Sequence, residues 1–305
     1  MNARRLLLCR PAGGLNDMLC QIERACRYGN RFGRTVIVET DHQCAFEFRD
    51  RFSDYFVSRQ RRLVLSAERF RDQFDRMDVF PGFLRGRVTR YLVRNEGREG
   101  RLVDLETGLR PSFDFDLDYR EPLLVHHDFG GGRLSLDALR RMRIGDAVAA
   151  ELRRRRGLIG GAYVALHIRN TDYKAMYKDR LGELAQTLQG PIFVATDNRV
   201  SLDDCRRGFG AARVASFSNL GNPSGQPLHH LSSAAEARER NMDAIVDLLM
   251  LSLADRIHAF ELEPNPVGAR VSGFTTLAID LHATPAVLRR LAPQAFGKSV
   301  WRLWR

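Results

Sequence analysis

Apolar and polar positions along the chain alternate in runs that read as strands and helices in turn. Leu6 to Cys9 is an apolar run and predicts a buried strand. It gives way to Pro11-Ala-Gly-Gly-Leu-Asn-Asp17, after which Met18, Leu19, Ile22, Ala25 and Cys26 recur at helical spacing. The recurrence predicts a helix of roughly fifteen residues, capped by Asn16 or Asp17 and ended by Gly29 and Gly33. Thr35-Val-Ile-Val-Glu39 is the next strand, so the chain opens as a βαβ unit around a glycine turn. The turn lacks GxGxxG spacing. Either it lets backbone approach a ligand, or it only reverses the chain.

The pattern loosens over residues 45–120. Strands are expected at Leu63-Val-Leu65 and from Arg87 to Val93. Ser112-Phe-Asp-Phe-Asp-Leu-Asp-Tyr119 alternates apolar with acidic, as an edge strand or an extended loop does. Pro122 to Gly132 then repeats the opening pattern of apolar strand, polar cluster and glycines. Leu136 to Arg156 reads as a helix crossing between halves, and Gly157-Leu-Ile-Gly-Gly161 as a linker. The second half is more regular. Strands are expected at 162–169, Pro191–Asp197, Ala212–Phe217 and Arg256–Phe260, with helices at 178–189, from Ser201, at Ala235–Ala254 and at Gly273–His282. A polar loop covers 218–233. Strands alternating with helices predict an α/β fold with a parallel sheet.

Composition narrows the function classes. A length of 305 residues fits two domains or one large α/β domain. The net charge of +11 suggests an anionic partner. Lys174, Lys178 and Lys298 are the only lysines, and the arginines are dispersed, with short clusters such as Arg153 to Arg156. No nucleic-acid-binding motif accompanies them, so nucleic acid is set aside in favour of nucleotide sugars and acidic lipid headgroups. Cys9, Cys20, Cys26, Cys44 and Cys205 form no CxxC pair, which argues against a disulfide framework or a zinc site and for a reducing compartment. The N-terminal apolar run is too short for a signal peptide, and the apolar helix Ala244–Ala254 carries Asp247. A cytoplasmic protein is expected. The tail Val300-Trp-Arg-Leu-Trp-Arg305 either touches the inner face of a membrane peripherally or packs on the body of the fold.

Chemistry concentrates at strand ends. The strand at 162–169 breaks into His167, Arg169, Asn170, Thr171, Asp172 and Lys174. Ligands bind beyond the carboxyl ends of parallel strands, where a guanidinium on a rigid support can fork onto a phosphate. The plainer reading is a solvated Arg169–Asp172 pair. Thr196, Asp197 and Asn198 end the next strand, and Ser272, Gly273 and Thr275 open a helix whose backbone N–H groups suit an anion. With Arg169 these would cradle a diphosphate without a metal. The Asp114/Asp116 pair lies in the other half. His126 and His127 are adjacent on a strand and point to opposite faces, so a cleft-lining histidine is expected there and not a metal site.

His167-Ile-Arg-Asn-Thr-Asp172 resembles the His-x-Arg-x-x-Asp motif of the GDP-fucose fucosyltransferases, most nearly that of the α1,6-fucosyltransferase group. Val194-Ala-Thr-Asp-Asn198 is similar to that group's second motif. Ala244 to Asp255 with Arg270-Val-Ser-Gly-Phe-Thr-Thr276 resembles the third, and Gly13-Gly-Leu-Asn16 the first loop of the wider superfamily. The resemblance implies a GT-B architecture of two Rossmann-like domains facing a cleft, 1–157 on the acceptor side and 158–305 on the donor side. It implies an inverting transfer of fucose from GDP-fucose to a polysaccharide, lipopolysaccharide or lipochitooligosaccharide, with no metal and no other cofactor. Arg169 would hold the β-phosphate and stabilise the departing GDP. Gly14, Asn16, His167, Asp197, Asn198, Asp247, Ser272, Gly273, Phe274 and Thr275 would complete the donor site, with His167 and Asp247 reading the guanine. An acid within an apolar helix face needs a partner, and for Asp247 an arginine serves as well as a guanine.

Two departures stand out. Asn170 replaces the second arginine usual in the α1,6 group, and no glutamate follows Asp172 where relatives carry one. An inverting transfer needs a group to take the acceptor proton. Asp172, Asp179 and Asp17 are the candidates, and nothing in the sequence sets one apart. The alternatives are a GT-B enzyme using another nucleotide sugar, or a non-catalytic nucleotide- or saccharide-binding protein.

Overall fold

The computed structural model describes residues 5–45, 48–96, 101–220, 234–265 and 268–293. The tail at 300–305, expected at a membrane or on the body of the fold, lies outside the described residues, as does most of the loop at 218–233. Contacts divide the chain into two units, Met1–Gly145 and Asp146–Arg305.

The first unit is built on β1 (Leu6–Pro11), whose six residues are all buried. Such a continuous run is what a parallel strand covered on both faces needs. The long helix α1 (Leu15–Phe32) returns the chain to β2 (Thr35–Val38), which lies parallel to β1. Neither Asn16 nor Asp17 caps α1. Gly14 occupies that position without a side-chain bond, and the helix runs through Gly29 to a left-handed Gly33 (φ 69°). Gly29 serves packing and not termination: a β-carbon there would lie 2.9 Å from both Arg34 O and Val36 Cγ2. There follow β3 (Phe56–Ser58), β4 (Leu63–Val64), the short helix α2 (Arg71–Phe74) and β5 (Val79–Phe80). An antiparallel hairpin, β6 (Val93–Glu96) and β7 (Arg101–Asp104), precedes β8 (Leu123–Asp128). The sheet order is β4-β2-β1-β8-β5, all parallel, so the winding reverses between β1 and β8.

Two further expectations fail for definable reasons. The strand expected at Arg87–Val93 begins only at Val93, because the preceding residues form successive tight turns. The alternating run at 112–119 is the extended loop of the two readings given for it: Phe113 and Phe115 stack on each other and close on Tyr28 of α1, with ring centroids 4.6–5.7 Å apart. The single helix expected over 136–156 is two, α3 (Ser135–Arg140) and α4 (Asp146–Ile159), split by β9 (Met142–Ile144). Pairing with β3 diverts the backbone there, with Arg59 N–H on Arg141 O at 2.8 Å and Gly145 N–H on Tyr55 O at 2.7 Å. The division between units falls ahead of α4, whereas the boundary expected between residues 157 and 158 lies within it, because α4 continues through Gly157, Leu158 and Ile159 of the expected linker.

The second unit adds β10 (Val164–Ile168), α5 (Lys178–Thr187), β11 (Ile192–Thr196), α6 (Arg199–Phe209), β12 (Val214–Ala215), α7 (Ala234–Ser252), β13 (Arg256–Ala259), α8 (Gly273–His282) and α9 (Pro285–Leu291). Pro285 starts α9, a position that suits its fixed φ and missing N–H. The parallel order β12-β11-β10-β13 reverses its winding between β10 and β13. Leu166, Ile168, Ile192 and Val194 pack against Leu181, Leu184, Leu202 and Phe209. Each such side chain contributes about 1.5–3 kcal/mol when fully buried. Ile245, Leu248, Leu249 and Leu251 of α7 are buried as their spacing predicted, but so are Val246 and Met250. Asp247 therefore sits in a helix segment enclosed on every side.

Candidate active site

In the second unit the loops after β10 and β13 are laced together beside the point where the winding reverses. Met176 N–H bonds Glu261 O at 2.7 Å and Glu263 N–H bonds Lys174 O at 2.8 Å. This fixes the turn at 169–175 that carries the polar cluster. Arg169 follows directly on β10, and its guanidinium is held by two carboxylates. Nε and Nη2 donate to Asp172 Oδ1 at 2.8 and 2.6 Å, and Nε lies 3.1 Å from Asp197 Oδ2. Among the described residues Nη1 has no part in these contacts, so one edge of the fork stays open. Burial works to raise the Asp172 pKa, but the charge and hydrogen bonds of Arg169 outweigh it and hold the carboxyl below its ordinary range. Asp172 is thereby kept as an ionised orienting partner.

Asp197 is the hub of the turn. It accepts from Asn170 N–H at 2.8 Å and from the Thr171 hydroxyl at 2.6 Å, as well as pairing with Arg169. Asn170 donates its amide to Ser201 Oγ at 2.8 Å and so cross-links β10 to α6. Asn198 caps α6, accepting from Ser201 N–H at 3.2 Å and donating to Asn170 O at 3.0 Å. Its side chain is engaged at both ends, and the helix expected from Ser201 begins two residues earlier, at Arg199, behind this cap.

The start of α8 reaches the same strand end through His167. The ring Nδ1 lies 2.6 Å from Thr275 Oγ1, and Phe274 packs on the imidazole with centroids 5.1 Å apart. Burial and the Arg169 charge lower the His167 pKa to about 3, so the ring is neutral at physiological pH. Ser272 caps α8, its Oγ accepting from Thr275 N–H at 3.1 Å. The N–H groups of Gly273 and Phe274 open the helix and have no intrahelical acceptor. Arg169 and this helix start thus bring positive charge to one place, suited to an anion.

Asp247 belongs to a different cluster. Arg155 of α4 meets Asp247 Oδ1 at 3.1 Å, pairs with Asp243, and bonds Glu151 Oε1 at 2.7 Å, while Ser218 donates to Asp247 Oδ2 at 2.5 Å. Burial raises the Asp247 pKa to about 7, against the bonds from Ser218 and Arg155. The arginine partner expected on one of the two readings is present. Asp243 and Arg155 were not singled out in the sequence, although Asp243 stands four residues before Asp247, on the same helix face.

In the first unit, Gly13 takes a left-handed φ of 100° and the loop after β8 presses on the start of α1. A β-carbon on Gly131 would collide with Asp17 Oδ1. Asn16 is buried, its amide 3.3 Å from Asp17 Oδ1 and 3.5 Å from Gly132 O, and Gly14 is exposed. His126 and His127 do take separate partners: His126 meets Gln21 at 2.6 Å and Ser112 at 2.7 Å, while His127 meets the Tyr91 hydroxyl at 2.9 Å. Asp179 lies exposed in the first turn of α5. Among the described residues no group of three or more His, Cys, Asp or Glu side chains is placed to hold a metal ion. The five cysteines are all free. No helix among the described residues is long and apolar enough to cross a membrane.

No protein-family model matches the chain, and no curated protein does. Solved structures do. The NodZ α1,6-fucosyltransferase soaked with GDP-fucose matches with a TM-score of 0.58 at 17% identity, over 90% of this chain and 91% of that one. NodZ from Bradyrhizobium matches with 0.58 at 16%, over 90% and 92%. POFUT1 in complex with GDP matches with 0.52 at 12%, over 96% and 97%. The chain has the GT-B fold of these proteins, as its motifs implied.

Proposed function

We propose that the chain is a glycosyltransferase that moves fucose from GDP-fucose to a saccharide acceptor, with inversion and without a metal ion. The observation that carries the reading is the placement of Arg169. It sits at the carboxyl end of β10, oriented by Asp172 and Asp197, with Nη1 uncommitted and the α8 start nearby. In the reaction the acceptor oxygen bonds to the sugar C1, the bond from C1 to the β-phosphate oxygen breaks, and the electron pair leaves with GDP. Negative charge grows on the diphosphate, and preorganised donors aimed at it lower the barrier. Arg169 and the Gly273 and Phe274 N–H groups supply those donors. Asp172 orients Arg169, and Asp179 and Asp17 both remain candidates to take the acceptor proton. Asp247 enters donor recognition only with Ser218 released. The fold shared with solved structures of proteins bound to GDP or soaked with GDP-fucose supports this donor class, and the acceptor is a polysaccharide, lipopolysaccharide or lipochitooligosaccharide.

Ligand binding to the native state raises apparent stability. GDP is expected to raise Tm more than UDP or dTDP at equal concentration, and labelled GDP-fucose is expected to give transfer that EDTA does not reduce. Equal shifts for all three nucleotides would remove the donor assignment, and strict Mg²⁺ dependence would remove the metal-free mechanism. The engagement of Asp172 by Arg169 also favours a second reading, a binding protein that retains the donor site without chemistry. GDP binding without transfer to any saccharide offered would select it.

A further inference from the structure

Three atoms behind the strand end form a chain that the diphosphate reading does not use. Ser272 Oγ lies 2.8 Å from Thr275 Oγ1, which lies 2.6 Å from His167 Nδ1. Thr275 is 2% exposed, so its hydroxyl is turned away from any ligand. His167 is 8% exposed, and among the described residues Nε2 has no partner and is not sealed from solvent, which makes it the outward nitrogen of the ring.

Each hydroxyl has one proton to give. Ser272 Oγ already accepts from Thr275 N–H. If Ser272 donates to Thr275 and Thr275 donates to Nδ1, every proton in the chain is used within it. In the opposite sense Nδ1–H feeds Thr275, Thr275 feeds Ser272, and the proton of the partly buried Ser272 passes out of the chain to solvent. The first sense leaves Nδ1 bare and places the ring proton on Nε2. It also gives the outward nitrogen the same polarity as Arg169 and the α8 start.

We propose that Ser272 and Thr275 serve the donor through His167: their hydroxyls hold the ring in the Nε2–H tautomer, so that it offers a fixed, uncharged hydrogen-bond donor to an acceptor oxygen of the nucleotide. Thr275 is then a positioning residue, and the side chain of Ser272 acts as cap and relay while the adjacent N–H groups remain for the anion. The proposal rests on the donor-site reading for the identity of the ligand, but the tautomer is a property of the free protein. Which nitrogen carries the proton is set by the bond the other one makes.

The test is ¹⁵N NMR of histidine-labelled protein, with the His167 signals assigned by their loss in His167→Gln, together with GDP and pyrophosphate titrations by calorimetry. The wild type is expected to show Nε2 protonated and Nδ1 bare between pH 6 and 8 (the range is about one unit either side of neutrality). Thr275→Val keeps the shape but removes the relay. It is expected to mix the tautomers and weaken GDP about 10- to 100-fold, the effect of one misdirected buried hydrogen bond. Thr275→Ser restores both. Weakening of pyrophosphate as well places the acceptor oxygen on the diphosphate, and weakening of GDP alone places it on the nucleoside. A wild-type ring protonated on Nδ1, or a tautomer unchanged in Thr275→Val, overturns the relay. Failure of wild-type protein to bind GDP overturns the donor reading instead, while the tautomer measured by NMR still decides the relay.

Discussion

The two units place polar residues at the carboxyl ends of similar parallel strands, yet they treat them differently. In the first, Arg10 is buried and bonds Glu39 through Nε and Nη2 at 2.8 and 2.6 Å. Arg71 closes the same network, on Glu39 at 2.7 Å and Asp41 at 2.5 Å. His42 packs edge-on against His127, which bonds Tyr91, and Tyr91 lies under the Arg10 guanidinium. Each charge there has a protein partner. In the second unit the guanidinium of Arg169 keeps an unused edge and His167 an unused nitrogen. A buried network that satisfies itself holds a fold; one left open by a donor or two is prepared for something else.

That contrast can be broken most directly through stability. Removing one partner of a buried pair strands the other, at a cost of about 3–5 kcal/mol. Arg10→Met is therefore expected to lower stability by about 3 kcal/mol. Arg169→Met, at a half-exposed pair, is expected to cost less than about 1 kcal/mol. Urea unfolding of both variants checks this, and equal losses would erase the distinction between a structural and a receptive edge.

Acid separates the units next. Burial lowers the His126 pKa to about 4 and holds His42 and His127 well below 6.5. Below pH 6.5 the unfolded chain binds protons that the native first unit refuses, so its stability falls as pH falls through that window. Asp247 has the opposite sign. Its native pKa of about 7 exceeds the ordinary 3.8, so the native state binds the extra proton, and its contribution to stability declines as pH rises from about 4 to about 7. His167, lowered to about 3, follows the first unit's trend, so the second unit responds to acid with two opposed effects. Hydrogen exchange across pH 4 to 8 (a span chosen about these values) is expected to show the first unit losing protection with acid more steeply than the second. Asp247→Asn should steepen the second unit's response, and no change on that substitution would contradict the buried-acid assignment.

The smallest effect concerns Asp17. A β-carbon on Gly131 pushes on the Asp17 carboxylate, which can yield because it is the end of a side chain. Gly131→Ala is expected to change Tm by no more than a few degrees, corresponding to roughly 1 kcal/mol; a fall in kcat with KM for GDP-fucose unchanged would favour Asp17 over Asp179 as the base. An unaltered kcat in this variant and in Asp17→Asn would remove Asp17 from proton transfer.

Much of the second unit was legible because its strands and helices each carry a clear period. The cluster from His167 to Asp172 announced itself as a strand end by the switch from apolar to polar residues. The first unit was less legible where tertiary contacts overrode local pattern. Gly29 reads as a helix stop but is a close-packing point. Residues 136–156 read as one helix but are split by a three-residue strand whose partner, β3, is distant in sequence. Residues 112–119 alternate like a strand, yet their aromatics pack on a helix. The side chains of Asn198, Thr275 and Asp247 were readable as candidate polar groups for a ligand. Their engagement with Ser201, His167 and Arg155 was not, because a hydrogen-bond partner is a matter of geometry that spacing does not encode.

Everything proposed for the site depends on Arg169 acting on the departing diphosphate. Single-turnover transfer from labelled GDP-fucose, compared between wild type and Arg169→Ala at saturating donor, tests that role most directly. Loss of a preorganised donor to developing charge is expected to slow the step by about 10²–10³-fold, with far-UV circular dichroism and Tm unchanged. Transfer at the wild-type rate by a folded Arg169→Ala protein would contradict it.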